Sequence, residues 1–403
     1  MRRRLPVVLC ALAVLLLLGA APASAVDRAG LRSALAKLHA RLGPSAGAYV
    51  VDLDSGAVLY RRREDLALAP ASNEKLFTTA AALLRFGPDA TLETTLQGGG
   101  EVDEGGVLRG DLFLVGGGDP TLGDPGLRAL ARALADAGVT RVDGGIVGDE
   151  SLFDQRRGTP ASGFAPDYDL YGWLSALSWR HGRAGSNGPA QAAAARLGAL
   201  LKAEGVRYGR RPRAGRLPAS TAQAAVQLAA VESPPMRTLV AETNVPSENF
   251  YAEMLVKALG ARYGTGGSTA GGLAVVRSEL AAFGVHPRLV DGSGLSRANR
   301  TTARQVVRLL ERMDGQEIAA AWRGSLPVAG RTGTIRKRMR RTAAAGRCAA
   351  KTGTLIGISA LSGYCTTTGG RRVAFSLLEN RVCAACAKKV EDRMVAAIAK
   401  LDG

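Results

Sequence analysis

Residues 347–367 read RCAAKTGTLIGISALSGYCTT, and this pattern predicts two β-strands joined by a turn at Ile356-Gly357. A third β-rich run, RRVAFSLLE, follows at 371–379, and AGAYVVDLDSGAVLYRRRE at 46–64 has a hairpin signal at Asp54-Ser55-Gly56. Strands near both ends of the chain predict one antiparallel sheet with helices packed on it. The expected fold class is therefore α+β.

The middle of the chain has a different pattern of predicted secondary structure. From about Thr91 the sequence shows short β-rich runs with glycine-rich turns, and helical periodicity returns only after Ser233. No repeat or low-complexity linker separates these parts. The sequence thus predicts an inserted β-rich domain at 93–232 within a domain built from 26–92 and 233–403.

The N-terminal segment has the features of a signal peptide, predicted at residues 1–25. Arginines occupy positions 2–4, an apolar run spans 7–18, and the small residues Ala23-Ser24-Ala25 follow. The apolar run is shorter than the ~20 residues that cross a bilayer. We expect a secreted or periplasmic chain that acts in the cell-wall space, with a retained N-terminal anchor as the alternative.

The cysteines are consistent with an oxidising compartment. Without the signal peptide four remain, and the predicted turn at 356–357 places Cys348 opposite Cys365. We therefore favour the pairs Cys348–Cys365 and Cys383–Cys386, with a redox-active Cys383-x-x-Cys386 as the alternative.

The net charge of +18 falls to +15 without the three N-terminal arginines. Peripheral association with an anionic wall or membrane is compatible with this charge, but an arginine-rich composition explains it as well. Few aromatic residues and no binding motif argue against nucleic acid as a partner. The three scattered histidines disfavour a zinc site and a Ser-His-Asp triad, and we predict no metal and no other cofactor.

Three short motifs are candidates for chemistry. PASNEKL at 70–76 sets Ser72 and Lys75 three residues apart at a predicted helix start, where both side chains share one face. A lysine can activate a serine hydroxyl if its amine is neutral, and burial favours the neutral amine. The alternative is a helix-capping serine followed by a solvated lysine.

The second motif lies in NVPSENFYAEML at 244–255. In an extended loop Ser247 and Asn249 would point the same way, the serine to relay a proton and the asparagine to bind a substrate amide. A capping segment before the next helix is the alternative.

The third motif is Lys351-Thr352-Gly353-Thr354 on the first strand of the predicted hairpin. A cation and hydroxyls there can hold an anionic peptide terminus, while the glycine leaves room for a substrate backbone at the strand edge. The similar Arg331-Thr332-Gly333-Thr334 is a weaker candidate, because Lys351 lies on the better strand pattern and is followed by the hairpin, although an arginine can also hold a carboxylate.

In this order, Ser-x-x-Lys, Ser-x-Asn and Lys-Thr-Gly are the motifs of penicillin-binding proteins and serine β-lactamases. The chain further resembles the D-alanyl-D-alanine carboxypeptidase/endopeptidase family, the class C low-molecular-mass penicillin-binding proteins. Besides the 175-residue spacing from Ser72 to Ser247, the resemblance rests on these segments: GGGDPTL from Gly116, SPPM from Ser233, DGSGLSRAN from Asp291 and AAAGRCAAKTGTLIGISALSGY from Ala343.

The resemblance implies a transpeptidase-like fold, an antiparallel sheet with helices on both faces, with a domain inserted between the first two motifs. It implies that Ser72 is the nucleophile, Lys75 its general base and Ser247 a proton relay. It also implies a substrate-binding set made of Asn249, Lys351, Thr352, Gly353 and Thr354. Glu248 departs from the aspartate or asparagine usual in the family.

The implied activity is hydrolysis of the bond before a terminal D-alanine in peptidoglycan peptides through an acyl-enzyme, with β-lactams as covalent inhibitors. The motifs do not separate carboxypeptidase from endopeptidase activity, and the oligomeric state is open. A β-lactamase or related serine esterase with the same motifs is the first alternative. A catalytically idle wall-binding protein is the second.

Overall fold

A computed structural model describes residues 26–183, 188–223 and 225–402. The predicted signal peptide at 1–25 lies outside the described residues. The helices are α1 (Arg28–His39), α2 (Lys75–Phe86), α3 (Asp124–Asp136), α4 (Pro189–Ala203), α5 (Ala219–Ala222), α6 (Met236–Asn244), α7 (Asn249–Tyr263), α8 (Thr269–Ala282), α9 (Ala303–Asp314), α10 (Ala319–Gly324) and α11 (Ala384–Ile398). The strands are β1 (Ala46–Asp52), β2 (Val58–Arg62), β3 (Glu93–Gly98), β4 (Val107–Leu108), β5 (Leu112–Val115), β6 (Arg141–Asp149), β7 (Arg207–Ala214), β8 (Val226–Glu232), β9 (Cys348–Leu355), β10 (Ile358–Thr366) and β11 (Arg372–Asn380).

The two ends of the chain form one antiparallel sheet with the strand order β2-β1-β11-β10-β9. The predicted hairpin is β9 and β10, with Gly357 in the left-handed region at φ 76°. Its register sets Cys348 opposite Cys365, and these two cysteines form a disulfide. Cys383 and Cys386 form the second disulfide.

Helices cover both faces of this sheet, as predicted. Along β1, Tyr49 and Val51 contribute to a core with α2 and α6 to α9, while Ala48 and Val50 contribute to a core with α1 and α11. The alternation follows from the two-residue period of a strand. Both sets are buried, so β1 is apolar on both sides.

The strands of the second sheet all lie between residues 93 and 232. Its order is β4-β6-β5-β3-β8, and β7 pairs with β6. The pairs of β6 with β4, β5 and β7 are parallel, because helices such as α3 and α4 separate the strands in sequence. The region predicted to be β-rich is thus a mixed sheet with helices, and the limits 93–232 stay a prediction. In the described part of the chain no helix is long and apolar enough to cross a membrane.

Candidate active site

Ser72 lies on a short 3₁₀ turn, Ala71–Glu74, that leads directly into α2. The turn begins with Ala71 at φ 46°, a conformation that costs energy for a residue with a side chain. Ser72 is half-buried, whereas Lys75 is fully buried. The turn therefore presents the serine to solvent and keeps the lysine beneath it.

Two glycines allow this turn to be packed from both sides. A β-carbon on Gly353 of β9 would stand 2.5 Å from the carbonyl oxygen of Pro70. On the other side, a β-carbon on Gly294, which has φ 88°, would overlap the carbonyl oxygen of Ala71. The position of Ser72 is thus fixed between the third motif and the loop 291–299. The space at Gly353 was expected to admit a substrate backbone, but in the structure the missing side chain makes room for the turn.

The amine of Lys75 connects the first two motifs. Its Nζ lies 3.0 Å from Ser72 Oγ, and it donates to Asn249 Oδ1 at 2.6 Å and to the Ser293 carbonyl oxygen at 2.7 Å. Burial lowers the pKa of Lys75 to about 8, although nearby carboxylates oppose the shift. An amine with this pKa is partly neutral near neutral pH.

Ser247 and Lys351 form the second pair of the site. Lys351 is buried on β9 and donates to Ser247 Oγ at 2.7 Å and to the Thr352 carbonyl at 2.9 Å. Burial, together with the charge of Lys75, holds the pKa of Lys351 well below its usual range. The loop is not extended as considered above. Ser247 has φ 70°, and its hydroxyl lies against Lys351 while Asn249 reaches Lys75.

The third motif lies at the edge of the five-stranded sheet, because β9 is its last strand. Thr352 Oγ1 is 2.8 Å from Oγ1 of Thr334, and Thr354 is exposed. The segment with Arg331 forms no strand. Instead it ends in a 3₁₀ turn, Gly333–Ile335, that supports the motif through Thr334, and Arg331 is exposed.

The inserted region also contacts the site. Asn249 begins α7 and donates through Nδ2 to the Asp169 carbonyl oxygen at 2.9 Å, while its Oδ1 accepts from Lys75. The Asp167 carboxylate accepts from Asp169 N and from Thr159 Oγ1. The contact with Asp169 therefore ties the second motif to the region between residues 93 and 232.

Some contacts were missed from the sequence. The Ser293 carbonyl that accepts from Lys75 belongs to DGSGLSRAN, a segment that contributed only to the family resemblance in the sequence. Asn73, inside the first motif, donates through Nδ2 to the Lys351 carbonyl at 3.2 Å and so ties the turn to β9. A backbone acceptor leaves no signal in one sequence. Asn73 could have been considered because a polar residue sits between the serine and the lysine.

The comparison with known families agrees with this geometry. A model of the D-Ala-D-Ala carboxypeptidase 3 (S13) family matches residues 28–172 and 180–401. The chain belongs to this family. The prediction of a D-Ala-D-Ala carboxypeptidase-type enzyme with the penicillin-binding-protein fold is confirmed.

Relatives of the S13 family align over most of the chain. The D-alanyl-D-alanine carboxypeptidase of Actinomadura sp. strain R39 is 32% identical, over 100% of this chain and 91% of the relative. The crystal structure of penicillin-binding protein 4 from Haemophilus influenzae covers 89% of this chain and 97% of its own, with a TM-score of 0.75 and 22% identity. The same protein in complex with a β-lactam has a TM-score of 0.73 and 24% identity, covering 89% of this chain and 98% of its own. These two likenesses show the shared fold.

Proposed function

We propose that the chain is an exported serine D-Ala-D-Ala carboxypeptidase that acts on peptidoglycan stem peptides through an acyl-enzyme at Ser72. One observation carries the proposal, the set of three partners around the Lys75 amine. A neutral amine has two N–H groups and one lone pair. If the N–H groups donate to Asn249 and Ser293, the lone pair faces the Ser72 hydroxyl at 3.0 Å.

That orientation suits a general base. Lys75 takes the proton of the Ser72 hydroxyl while Oγ attacks the carbonyl carbon of the bond before the terminal D-alanine. The backbone amides of Ser72 and Thr354 stabilise the resulting oxyanion, and each such donor contributes about 3 kcal/mol in comparable enzymes. The C–N bond then breaks. The leaving nitrogen receives the proton that Lys75 took, relayed by Ser247, and D-alanine departs while Lys75 returns to its neutral form.

Hydrolysis of the ester restores the enzyme. A water molecule attacks the acyl carbon and gives one proton to Lys75, which passes it to Ser72 Oγ as the ester C–O bond breaks. The water oxygen stays on the peptide as a carboxyl group. A β-lactam follows the first half of this path, since ring opening gives an ester on the same oxygen. Its leaving nitrogen stays attached to the acyl group and hinders the approach of water.

The third motif supplies a suitable site for the substrate carboxylate. The hydroxyls of Thr352 and Thr354 lie at the sheet edge, and Lys351 beside them adds positive charge when its amine is protonated. A terminal carboxylate binds hydroxyls and ammonium groups through charge-assisted hydrogen bonds. The predicted signal peptide supports export to the space where peptidoglycan is found. An internal cross-link to D-alanine presents the same bond, so endopeptidase activity is part of the proposal.

The test is acylation and hydrolysis by the Ser72→Ala variant. We expect wild-type protein to form a covalent adduct with fluorescent penicillin and to release D-alanine from a peptide ending in D-Ala-D-Ala. Ser72→Ala should do neither, while Ser55→Ala, which changes an exposed turn serine, should do both. Labelling of Ser72→Ala at the wild-type rate contradicts the proposal. Rapid penicillin turnover without D-alanine release indicates a β-lactamase, and a wild-type protein that forms no adduct indicates the idle wall-binding protein.

A further inference from the structure

Three carboxyl groups are buried beneath Lys75. Glu74 lies on the nucleophile turn, Glu253 on α7, and Asp291 at the start of the loop 291–299, and each is 0% exposed. Carboxyl groups are rarely buried without a partner of opposite charge. Lys75 is the cation that these three residues face.

The hydrogen bonds of the three groups differ. Asp291 accepts from Gly294 N and Asn299 Nδ2 on one oxygen and from Ser296 N on the other, at 2.8, 2.7 and 2.5 Å. One oxygen of Glu253 accepts from two backbone amides, and its other oxygen has no partner among the described residues. Neither oxygen of Glu74 has a partner there.

These differences assign the charges. An ionised carboxylate that is buried without a hydrogen bond is strongly disfavoured, so Glu74 is protonated, and burial raises its pKa well above the usual range. Asp291, with three donors, is the carboxylate best suited to remain ionised. Glu253 lies between these cases, and burial raises its pKa to about 7.

Glu253 also determines where the Ser293 carbonyl points. Its Oε1 accepts from Gly292 N at 3.0 Å and from Ser293 N at 2.8 Å, and Thr78 Oγ1 donates to the Gly292 carbonyl at 2.8 Å. The next carbonyl, that of Ser293, accepts from Lys75. The backbone at 292–293 is therefore held on one side by Glu253 and on the other by Thr78.

We propose that Glu253 is a positioning residue for the reaction: its carboxylate holds the Ser293 carbonyl against Lys75 and adds negative charge next to the amine, while Glu74 stays uncharged beside it. This inference rests on the proposed role of Lys75 as general base. Glu253 touches no substrate. It acts through the backbone at 292–293 and through its charge.

The charge has a defined effect on the lysine. The groups that face Lys75 are the carboxyl groups of Glu74, Glu248, Glu253 and Asp291, and the amine of Lys351. Each ionised carboxylate favours the ammonium form and raises the pKa of Lys75, against the larger effect of burial. Loss of the Glu253 charge should lower the pKa of Lys75, whereas loss of an uncharged Glu74 should leave it unchanged.

The experiment measures the second-order rate of acylation by a chromogenic penicillin from pH 6 to 10. In Glu253→Gln the amide oxygen still accepts from both backbone amides, and we expect the midpoint of the pH profile to move down by about one unit. Glu74→Gln is the matched control and should keep the wild-type midpoint. Thr78→Val removes the hydrogen bond to the Gly292 carbonyl without changing a charge. This variant should slow acylation without moving the midpoint of the pH profile.

A Glu253→Gln midpoint that stays in place or moves up overturns the inference, as does an equal shift in Glu74→Gln. If Glu253→Gln does not fold, Glu253→Asp is the second variant. The aspartate keeps the negative charge, but its shorter side chain withdraws the carboxylate from the backbone amides of Gly292 and Ser293. Acylation should therefore slow at every pH, and the midpoint of the pH profile should not change. Wild-type acylation rates in Glu253→Asp also overturn the inference. A wild-type protein that penicillin does not acylate contradicts the proposed function instead, so the two failures are distinguishable.

Discussion

The α-carbon of Gly353 packs against the carbonyl group of Pro70 so closely that a β-carbon at residue 353 would stand 2.5 Å from the oxygen of Pro70. This contact brings the edge strand β9 against the turn that carries Ser72. The Asn73 side chain adds a hydrogen bond to the Lys351 carbonyl at the same junction. The turn that carries the proposed nucleophile Ser72 and the strand proposed to bind the substrate carboxylate are therefore one packed unit.

Gly353→Ala should abolish this fit. We expect the strand and the turn to separate, the acylation rate to fall by a factor of about 100 or more, and the free energy of unfolding to fall by about 1–3 kcal/mol. Penicillin-labelling kinetics and urea unfolding provide the measurements. Gly324→Ala, at the end of α10, is the control, since outside the local helix backbone no atom of the described residues lies within 4 Å of the added methyl group, and it should retain activity. Normal acylation by Gly353→Ala would show that the contact does not position Ser72.

The acylation rate should depend on pH through Lys75. The lysine acts as a base only when neutral, and its pKa of about 8 means that the neutral fraction rises as the pH rises through 8. We predict a rate that increases from pH 6 to 9 with a midpoint near 8, measured with a penicillin that is stable over this range. Lys75→Arg keeps a charged side chain throughout and should be slow at every pH. A rate that falls between pH 7 and 9 would be inconsistent with a lysine base.

The sequence predicted the elements of the fold more fully than the contacts of the site. Strand alternation and the turn at 356–357 were enough to place Cys348 opposite Cys365, because pairing in a tight hairpin follows from local geometry. The parallel pairs of β6 were not predicted, because they join strands far apart in sequence. The same limit applies to Ser293 and Glu253, whose effects on Lys75 depend on the tertiary packing of α7 against the loop 291–299.

The two disulfides should contribute unequally to stability. Cys348–Cys365 joins residues 17 apart across β9 and β10, whereas Cys383–Cys386 joins residues 3 apart at the start of α11. A longer closed loop restricts the unfolded chain more, so we expect Cys348→Ala/Cys365→Ala to lose about 3 kcal/mol of unfolding free energy. Cys383→Ala/Cys386→Ala should lose less, and serves as the comparison in urea unfolding. Equal losses would mean that loop length does not determine the difference.

The last prediction concerns the ion pair that joins α7 to the inserted region. Lys257 is fully buried and donates to the Asp154 carboxylate and to the Arg156 carbonyl at 2.9 Å, while the Asp154 side chain is 30% exposed. Burial lowers the pKa of Lys257, and the carboxylate opposes that shift. Removal of the Asp154 carboxylate leaves the buried Lys257 ammonium with one neutral acceptor, the Arg156 carbonyl.

Asp154→Ala should therefore lower the unfolding free energy by about 3 kcal/mol at pH 7. The loss should shrink as the pH rises, because in the variant the folded state favours neutral Lys257 and releases its proton at a lower pH than the unfolded chain does. Urea unfolding at pH 7 and pH 9 measures both effects. Asp143→Ala removes one of the two carboxylates that pair with Arg109, which is 63% exposed, and should cost much less than Asp154→Ala at either pH. If both variants lose the same small amount of unfolding free energy, the Lys257–Asp154 pair does not stabilise the junction. A loss of unfolding free energy in Asp154→Ala that grows with pH would contradict the charge assigned to Lys257.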